Sequence, residues 1–565
     1  MSGPVAPKDP TKKRPAIYLM LDSNIAGKPW ENGKIQDVNY MDNRLLSQVK
    51  GICEEIDEEI LNLLAHTNTF RQLVHSIGIS ITATKEEEKD SHVEFMLHTY
   101  GVEDKYNSGE KIRVLCPCNG EEQTILLEDT EIGLKDDIIG ALYFTFPEEC
   151  QSAITTIKFY LNDGYQVPEV QVDPPVDFQS NRYHEMIENS LYSLGNVKRL
   201  KKAIEKAKKA HDVTIAYIGG SITQGAGAKP IHTECYAYRS YQGFCDRFAK
   251  DPSKMHFVKA GVGGTSSELG MLRYEPEVTQ NGTIVPDVVM VEFAVNDEGD
   301  ETKGICFESL IRKIANGPGN PAVILVFSVF MNEWNLEDRL VPIGTYYDLP
   351  MVSIKKAVVP QFRLTPSVIT KRQFFYDIFH PTNDGHRIMG DCLIHLFEKV
   401  DGSPDVPEES DFQKPPRMGN DFEEVLTLDQ TNVQEYFPVE EKGFDHKDPA
   451  LQNVERNLSL DPSPVFPNGW HKTEEEEDAF FSFRVEAKKL LLITKDSGEP
   501  AYGKADVYVD GNIARTIDPL ENGWDHTNAQ IILNEKESKD HSIKVVMHPG
   551  DEKKRFTILG IGIVR

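Results

Sequence analysis

Residues 213–225 read Val213-Thr214-Ile215-Ala216-Tyr217-Ile218-Gly219-Gly220-Ser221-Ile222-Thr223-Gln224-Gly225. A β-branched run that stops at two glycines and a serine predicts a buried strand ending in a sharp turn. That places the serine hydroxyl at the carboxyl end of a sheet strand, where open α/β sheets bind ligands. A strand, glycine-rich turn and helix also suit a phosphate loop, but the residues argue against one. Gly227-Ala228-Lys229-Pro230 follows instead of Gly-Lys-Ser/Thr, and Pro230 stands where the third glycine of a dinucleotide fingerprint belongs.

Three further stretches extend the pattern. His256-Phe257-Val258 predicts a strand running into Lys259-Ala260-Gly261-Val262-Gly263-Gly264-Thr265, a loop bare enough for backbone N–H groups to approach a ligand. Pro286 to Phe293 predicts another strand, ending at Ala294-Val295-Asn296-Asp297, where an amide can point into the same crevice. Asp377-Ile378-Phe379-His380-Pro381 precedes a predicted helix, and an Asp three residues before a His can hold one imidazole nitrogen. Singly, each has an ordinary explanation: a turn at Gly264, a helix cap at Asn296 or Asp377, a loop histidine at His380. Together, at successive strand ends, they form a constellation.

Gly219-Gly220-Ser221-Ile222, the Gly264 loop, Val295-Asn296-Asp297 and Asp377-x-x-His380 resemble the four blocks of the SGNH (GDSL-type) hydrolase superfamily, over roughly residues 196–400. The resemblance implies Ser221 as nucleophile, His380 as general base and Asp377 as the group that orients it. It also implies an oxyanion hole from the Ser221 N–H, the Gly264 N–H and the Asn296 amide. Gly220, Lys259 and Ala294 depart from the usual block residues without removing a group that does chemistry. No cofactor or metal is called for: His380 and His386 lack an H-E-x-x-H frame, and Cys116-Pro117-Cys118 has no partner pair.

At 565 residues, the chain is expected to hold about three or four domains of ~150 residues each. Alternating segments at 111–115, 123–127, 140–146 and 155–161 predict an N-terminal β-sandwich with a helical insert near 49–75. Segments at 490–494, 505–509, 542–547 and 556–559 predict a second one. The expected plan is an accessory β-sandwich over 1–180, an α/β/α three-layer SGNH domain with a parallel sheet over 181–400, a linker over 401–420 and a jelly-roll-like sandwich over 421–565. The net charge of −29 disfavours nucleic acid and anionic membranes as partners. Eight scattered cysteines fit reduced thiols, and no apolar run approaches the ~18–20 residues of a membrane span. With no signal-peptide core in the polar, proline-rich start of the chain, a cytoplasmic location is expected. The sequence leaves the oligomeric state open.

Asn468-Gly469-Trp470 and Asn522-Gly523-Trp524 place tryptophans in glycine-flanked loops, a way to offer flat platforms to sugar rings, although either ring could instead fill a sandwich edge. The tyrosine-rich stretch with Tyr236, Tyr238 and Tyr241 suits a sugar better than an acyl chain. An SGNH domain followed by a β-sandwich is similar to carbohydrate esterase family 17, which implies a serine esterase removing O-acetyl groups from mannan- or xylan-derived oligosaccharides. Trp524, Trp470 and Tyr236 are the expected substrate contacts. The alternatives are a lipase, thioesterase or small-acyl esterase on the same fold, and a non-catalytic carbohydrate-binding protein. An acyltransferase shares the same acyl-enzyme.

Overall fold

The computed structural model describes residues 14–30, 32–101, 105–135 and 137–565; the proline-rich start of the chain up to residue 13 lies outside them. Two compact units form. The first gathers the described residues up to Val176 with Gly227–Pro230 and Ile369–Gly385, and the second holds Asp177–Ala226, Ile231–Val368 and His386–Arg565.

In the first unit, β1 (Ala16–Ala26), β2 (Lys28–Pro29), β3 (Ile35–Tyr40), β4 (Val74–Ala83), β5 (His92–Tyr100), β6 (Lys111–Pro117), β7 (Gln123–Leu126), β8 (Ile138–Thr145) and β9 (Ser152–Leu161) form two antiparallel sheets. Their orders are β1-β9-β4-β7 and β2-β3-β8-β5-β6. β9 buries every second residue, the period of a strand with one face on a core. That core joins Ile77, Ile79 and Phe159 of one sheet to Phe95, Leu97 and Phe144 of the other, a β-sandwich. Helices α1 (Leu45–Ile52), α2 (Glu58–Asn62) and α3 (Thr67–Leu73) fill the predicted insert. Phe70 of α3 meets Phe159 edge-on at 4.9 Å, and full burial of such a ring contributes about 1.5–3 kcal/mol.

The second unit is built on β10 (Leu191–Ser193), β11 (Val213–Gly219), β12 (Met255–Gly261), β13 (Val288–Glu292), β14 (Ala322–Phe327) and β15 (Met351–Ser353), in the order β10-β15-β14-β13-β11-β12. All pairs are parallel except β10 with β15. β11 is buried along its whole length, as a strand covered on both faces must be. On one face Ala216, Ile218 and Val291 pack against Leu269, Leu310 and Ile343 of the helices Ser267–Arg273, Ile305–Ala315 and Glu337–Tyr346. On the other, Tyr217 hydrogen-bonds Ser240 of the helix Tyr236–Phe248 at 2.8 Å. The order of strands reverses at β11, which has β12 on one side and β13 on the other. Gly219 is level with Gly261 and with Glu292, so three strands end together at a topological switch point.

The crossing after residue 401 is tied to this layer rather than loose. Phe412 stacks on Tyr347 at 5.2 Å, and Glu308 accepts the N–H groups of Arg417 and Gly419 at 2.6 and 2.9 Å. Beyond it lies an eight-stranded antiparallel sheet dominated by Phe480–Asp496 and His526–Met547. Bulges near residues 487–491 let these long strands turn, and the sheet encloses Trp470, Phe481, Leu490 and Ile558, the second β-sandwich. Among the described residues, no helix is long and apolar enough to cross a membrane.

Candidate active site

Ser221 begins a four-residue helix directly after Gly220, and the helix closes on Gly225 at φ 106°. The turn is tight because its neighbours leave no room. A Cβ on Gly261 would lie 2.0 Å from the Gln224 nitrogen, and one on Gly220 would lie 2.3 Å from Asn296 Oδ1. Glycine at 220 therefore lets the Asn296 amide stand against the Ser221 turn. Asn296 heads a short 3₁₀ turn, but its side chain makes no capping hydrogen bond, so it is not spent as a helix cap. Its Oδ1 is buried with no hydrogen-bond partner among the described residues.

The Gly263–Gly264 loop is held from several sides. Val262 N–H donates to Gly219 O at 3.1 Å and Gly263 N–H to Gln224 Oε1 at 3.1 Å. Gln452 Nε2 donates to Gly263 O at 2.9 Å. That carbonyl shares one planar peptide with the Gly264 N–H, so fixing the oxygen aims the N–H the opposite way. Gly264 has φ 74°, in the left-handed region that favours glycine, and a Cβ there would lie 2.9 Å from His526 Nε2. Asp297 Oδ1 accepts the Ser267 N–H at 2.7 Å, fixing the start of the helix that leaves the loop. Arg273, fully buried, donates to Gly219 O and Ala260 O at 3.0 Å each, tying β11 to β12. The Lys259 ammonium donates to Gln224 O at 2.8 Å and so supports the same turn.

Below the 3₁₀ turn lies a buried acidic group. Burial, with Asp300 next to it, pushes Glu268 up to about 9. Burial likewise raises Asp297 to about 7, against the Ser267 N–H that favours its charged form. Glu268 Oε1 accepts the Glu301 N–H at 3.1 Å.

Asp377 and His380 belong to the first unit, whereas Ser221, Gly264 and Asn296 belong to the second. The three-residue spacing has a local cause. Asp377 Oδ1 accepts the N–H groups of Phe379 and His380 at 2.7 Å each, an Asx turn that curls the chain back. Tyr376 N–H donates to His380 O at 2.7 Å and closes the loop. The second oxygen, Oδ2, is left 2.8 Å from His380 Nδ1. Because an ionised carboxylate only accepts, this nitrogen carries the proton. Burial opposes the charge on Asp377, but His380 and then Arg44 outweigh it and hold the group at about 2.

Two expected substrate residues lie elsewhere. Trp470 is only 4% exposed and packs on Phe481 at 4.9 Å, because residues 470–472 form a strand paired with Phe556–Ile558. Tyr236 is fully buried, its hydroxyl 2.8 Å from Thr223 Oγ1 and its N–H donating to His386 Nδ1 at 3.2 Å. Both are interior residues rather than sugar platforms. Trp524 is 43% exposed and stands beside the Gly264 loop, where its ring edge would meet a Cβ at 2.9 Å. Gln452, His526 and Asp496 had no signal in the sequence, since each is a single polar residue far along the chain from the loop it serves.

Residues 217–388 match the family model described as GDSL-like Lipase/Acylhydrolase family. The structure of a two-domain esterase (CEX) active on acetylated mannans is similar to this chain at 28% identity and a TM-score of 0.57, covering 66% of this chain and 97% of that one. The same esterase co-crystallized with mannopentaose matches at 28% identity and a TM-score of 0.55, with the same coverage. No curated protein matches the chain.

Proposed function

We propose, on the premise that residues 217–388 form a GDSL-like (SGNH) hydrolase domain, that this protein is a serine esterase that removes O-acetyl groups from oligosaccharides. The observation that carries the sugar in this reading is Trp524, a half-open indole set against the Gly264 loop. An indole gives a sugar ring a flat apolar face and an N–H for its hydroxyls. The 28% identical esterase active on acetylated mannans supports the same class of substrate.

In this mechanism Ser221 Oγ attacks the acetyl carbonyl while its proton passes to His380. Asp377 holds the imidazole by Nδ1, so Nε2 is the nitrogen that takes the proton. The carbonyl oxygen becomes an oxyanion and is met by the N–H groups of Ser221 and Gly264 and the Asn296 amide, each worth about 10²–10³ in rate. As the C–O bond to the sugar breaks, His380 returns the proton to the leaving oxygen. Water then attacks the acetyl-serine by the same route in reverse and releases acetate.

The test is acetate release from acetylated mannan and xylan oligosaccharides, with medium-chain acyl esters alongside and Ser221→Ala as control. Release from the oligosaccharides that is lost in the variant supports the proposal. Turnover of medium-chain esters alone would replace it with a lipase or thioesterase.

A further inference from the structure

α1 of the N-terminal sandwich is not remote from Asp377, although 333 residues of sequence separate Arg44 from it. β3 is followed by a turn whose Asn43 takes the left-handed conformation at φ 60°, and Arg44 is the N-cap residue of α1. Arg44 Nη1 lies 3.5 Å from Asp377 Oδ2, the same oxygen that faces His380 Nδ1. The guanidinium also sits 5.6 Å from the centre of the Phe379 ring, a cation–π contact. One turn further along α1, Gln48 Nε2 donates to Tyr376 O at 3.1 Å. Residues four apart share a helix face, so one face of α1 reads the backbone before Asp377 and the carboxylate itself. Asn39 of β3 accepts the Tyr376 hydroxyl. Three side chains of the sandwich thus converge on two consecutive residues.

We propose that Arg44 is a positioning residue for the Asp377–His380 pair, making the N-terminal β-sandwich part of the catalytic apparatus. This rests on the esterase reading above. A cation at Oδ2 favours the ionised carboxylate and pins the oxygen that orients the imidazole. Among the described residues, Lys229 and Asp37, which pair with each other, and Tyr376, whose hydroxyl burial keeps protonated, also face this segment. Arg44 is a cation in direct contact with the carboxylate.

The experiment uses the full chain and p-nitrophenyl acetate, comparing Arg44→Met, Arg44→Lys, Ser221→Ala and His380→Ala with wild type. Arg44→Met is expected to lower kcat about tenfold with KM within about twofold, since the loss falls on the reacting groups. Arg44→Lys should restore most of kcat. Unchanged kcat in Arg44→Met overturns the proposal. So does a fall in kcat with no rescue by Lys, which would mark a role in folding alone. Wild-type turnover in Ser221→Ala or His380→Ala would instead overturn the esterase reading, and the proposal with it.

Discussion

His526 Nε2 lies 3.1 Å from the carbonyl oxygen of Gly264, 262 residues earlier in the chain. Its Nδ1 lies 3.0 Å from Asp496 Oδ2, and Asn522 also donates to that carboxylate. A carbonyl oxygen only accepts, so Nε2 is the donor. The C-terminal sandwich thus reaches the Gly264 loop, to which the proposed mechanism gives an oxyanion donor, in addition to presenting Trp524 beside it.

Gln452→Leu should therefore act on chemistry and not on sugar binding. Freed from its amide, the Gly263–Gly264 peptide can rotate and its N–H loses its aim. The expected fall in kcat is about 10–100-fold on p-nitrophenyl acetate and on acetylated oligosaccharide alike. Trp524→Ala should instead spare the small ester and raise KM for the oligosaccharide. Steady-state kinetics on both substrates separate the two; equal losses in Trp524→Ala would make the indole a packing residue.

Asn296→Ala is expected to cost about 10²–10³ in kcat with little change in KM. Gly220→Ala should reproduce much of that loss by another route, since its methyl would fall 2.3 Å from Asn296 Oδ1 and drive the amide away. The double variant should be no worse than Asn296→Ala. Additive losses would mean that Gly220 matters for some other reason.

Ser221→Ala and His380→Ala should each remove nearly all turnover, with Asp377→Asn somewhat milder and no further loss on combining them, because such groups act as a unit. Burst kinetics with a chromogenic acetate would show whether the acyl-enzyme forms.

Asp377 also links stability to acid. Its folded value of about 2 lies below the ordinary 3.8, so its contribution is present above about pH 4 and is lost as pH falls towards 2. The size is about 2 kcal/mol, from 1.36 kcal/mol per unit. Urea unfolding from pH 5 to pH 2 should show a steeper decline in wild type than in Asp377→Asn.

Glu268 behaves in the opposite sense. Its folded value of about 9 exceeds the ordinary 4.5, so stability is full below about pH 4.5 and falls as pH rises towards 9. Glu268→Gln keeps an acceptor for the Glu301 N–H without the ionisation. It should raise the Tm at pH 8, with a difference that shrinks towards pH 5.

The strands that end at the site were legible because their environment is uniform. β11 is covered on both faces, so a continuous apolar run marks it, and the glycines after it mark the close approaches. β1 was harder to read: bulges between Tyr18 and Ser23 break its alternation and admit Asp22 and Ser23. Trp470 and Trp524 share the same Asn-Gly-Trp setting, yet one begins a paired strand and the other stands half-open. Nothing local distinguishes them, because the difference lies in strands supplied from elsewhere in the chain. Arg44 and Gln48 were silent for the same reason, their partners being more than three hundred residues away.

The stitching of Ile369–Gly385 onto the first sandwich has a consequence for synthesis. At ~5–20 residues per second, roughly 190 residues must be added after Val176 before that segment emerges, an interval of about 10–40 s. For that time the nascent sandwich carries an unfilled berth, with Asn39, Arg44 and Gln48 still facing water. The ribosome finishes the sheets of this unit long before it delivers the loop that Arg44 is to hold.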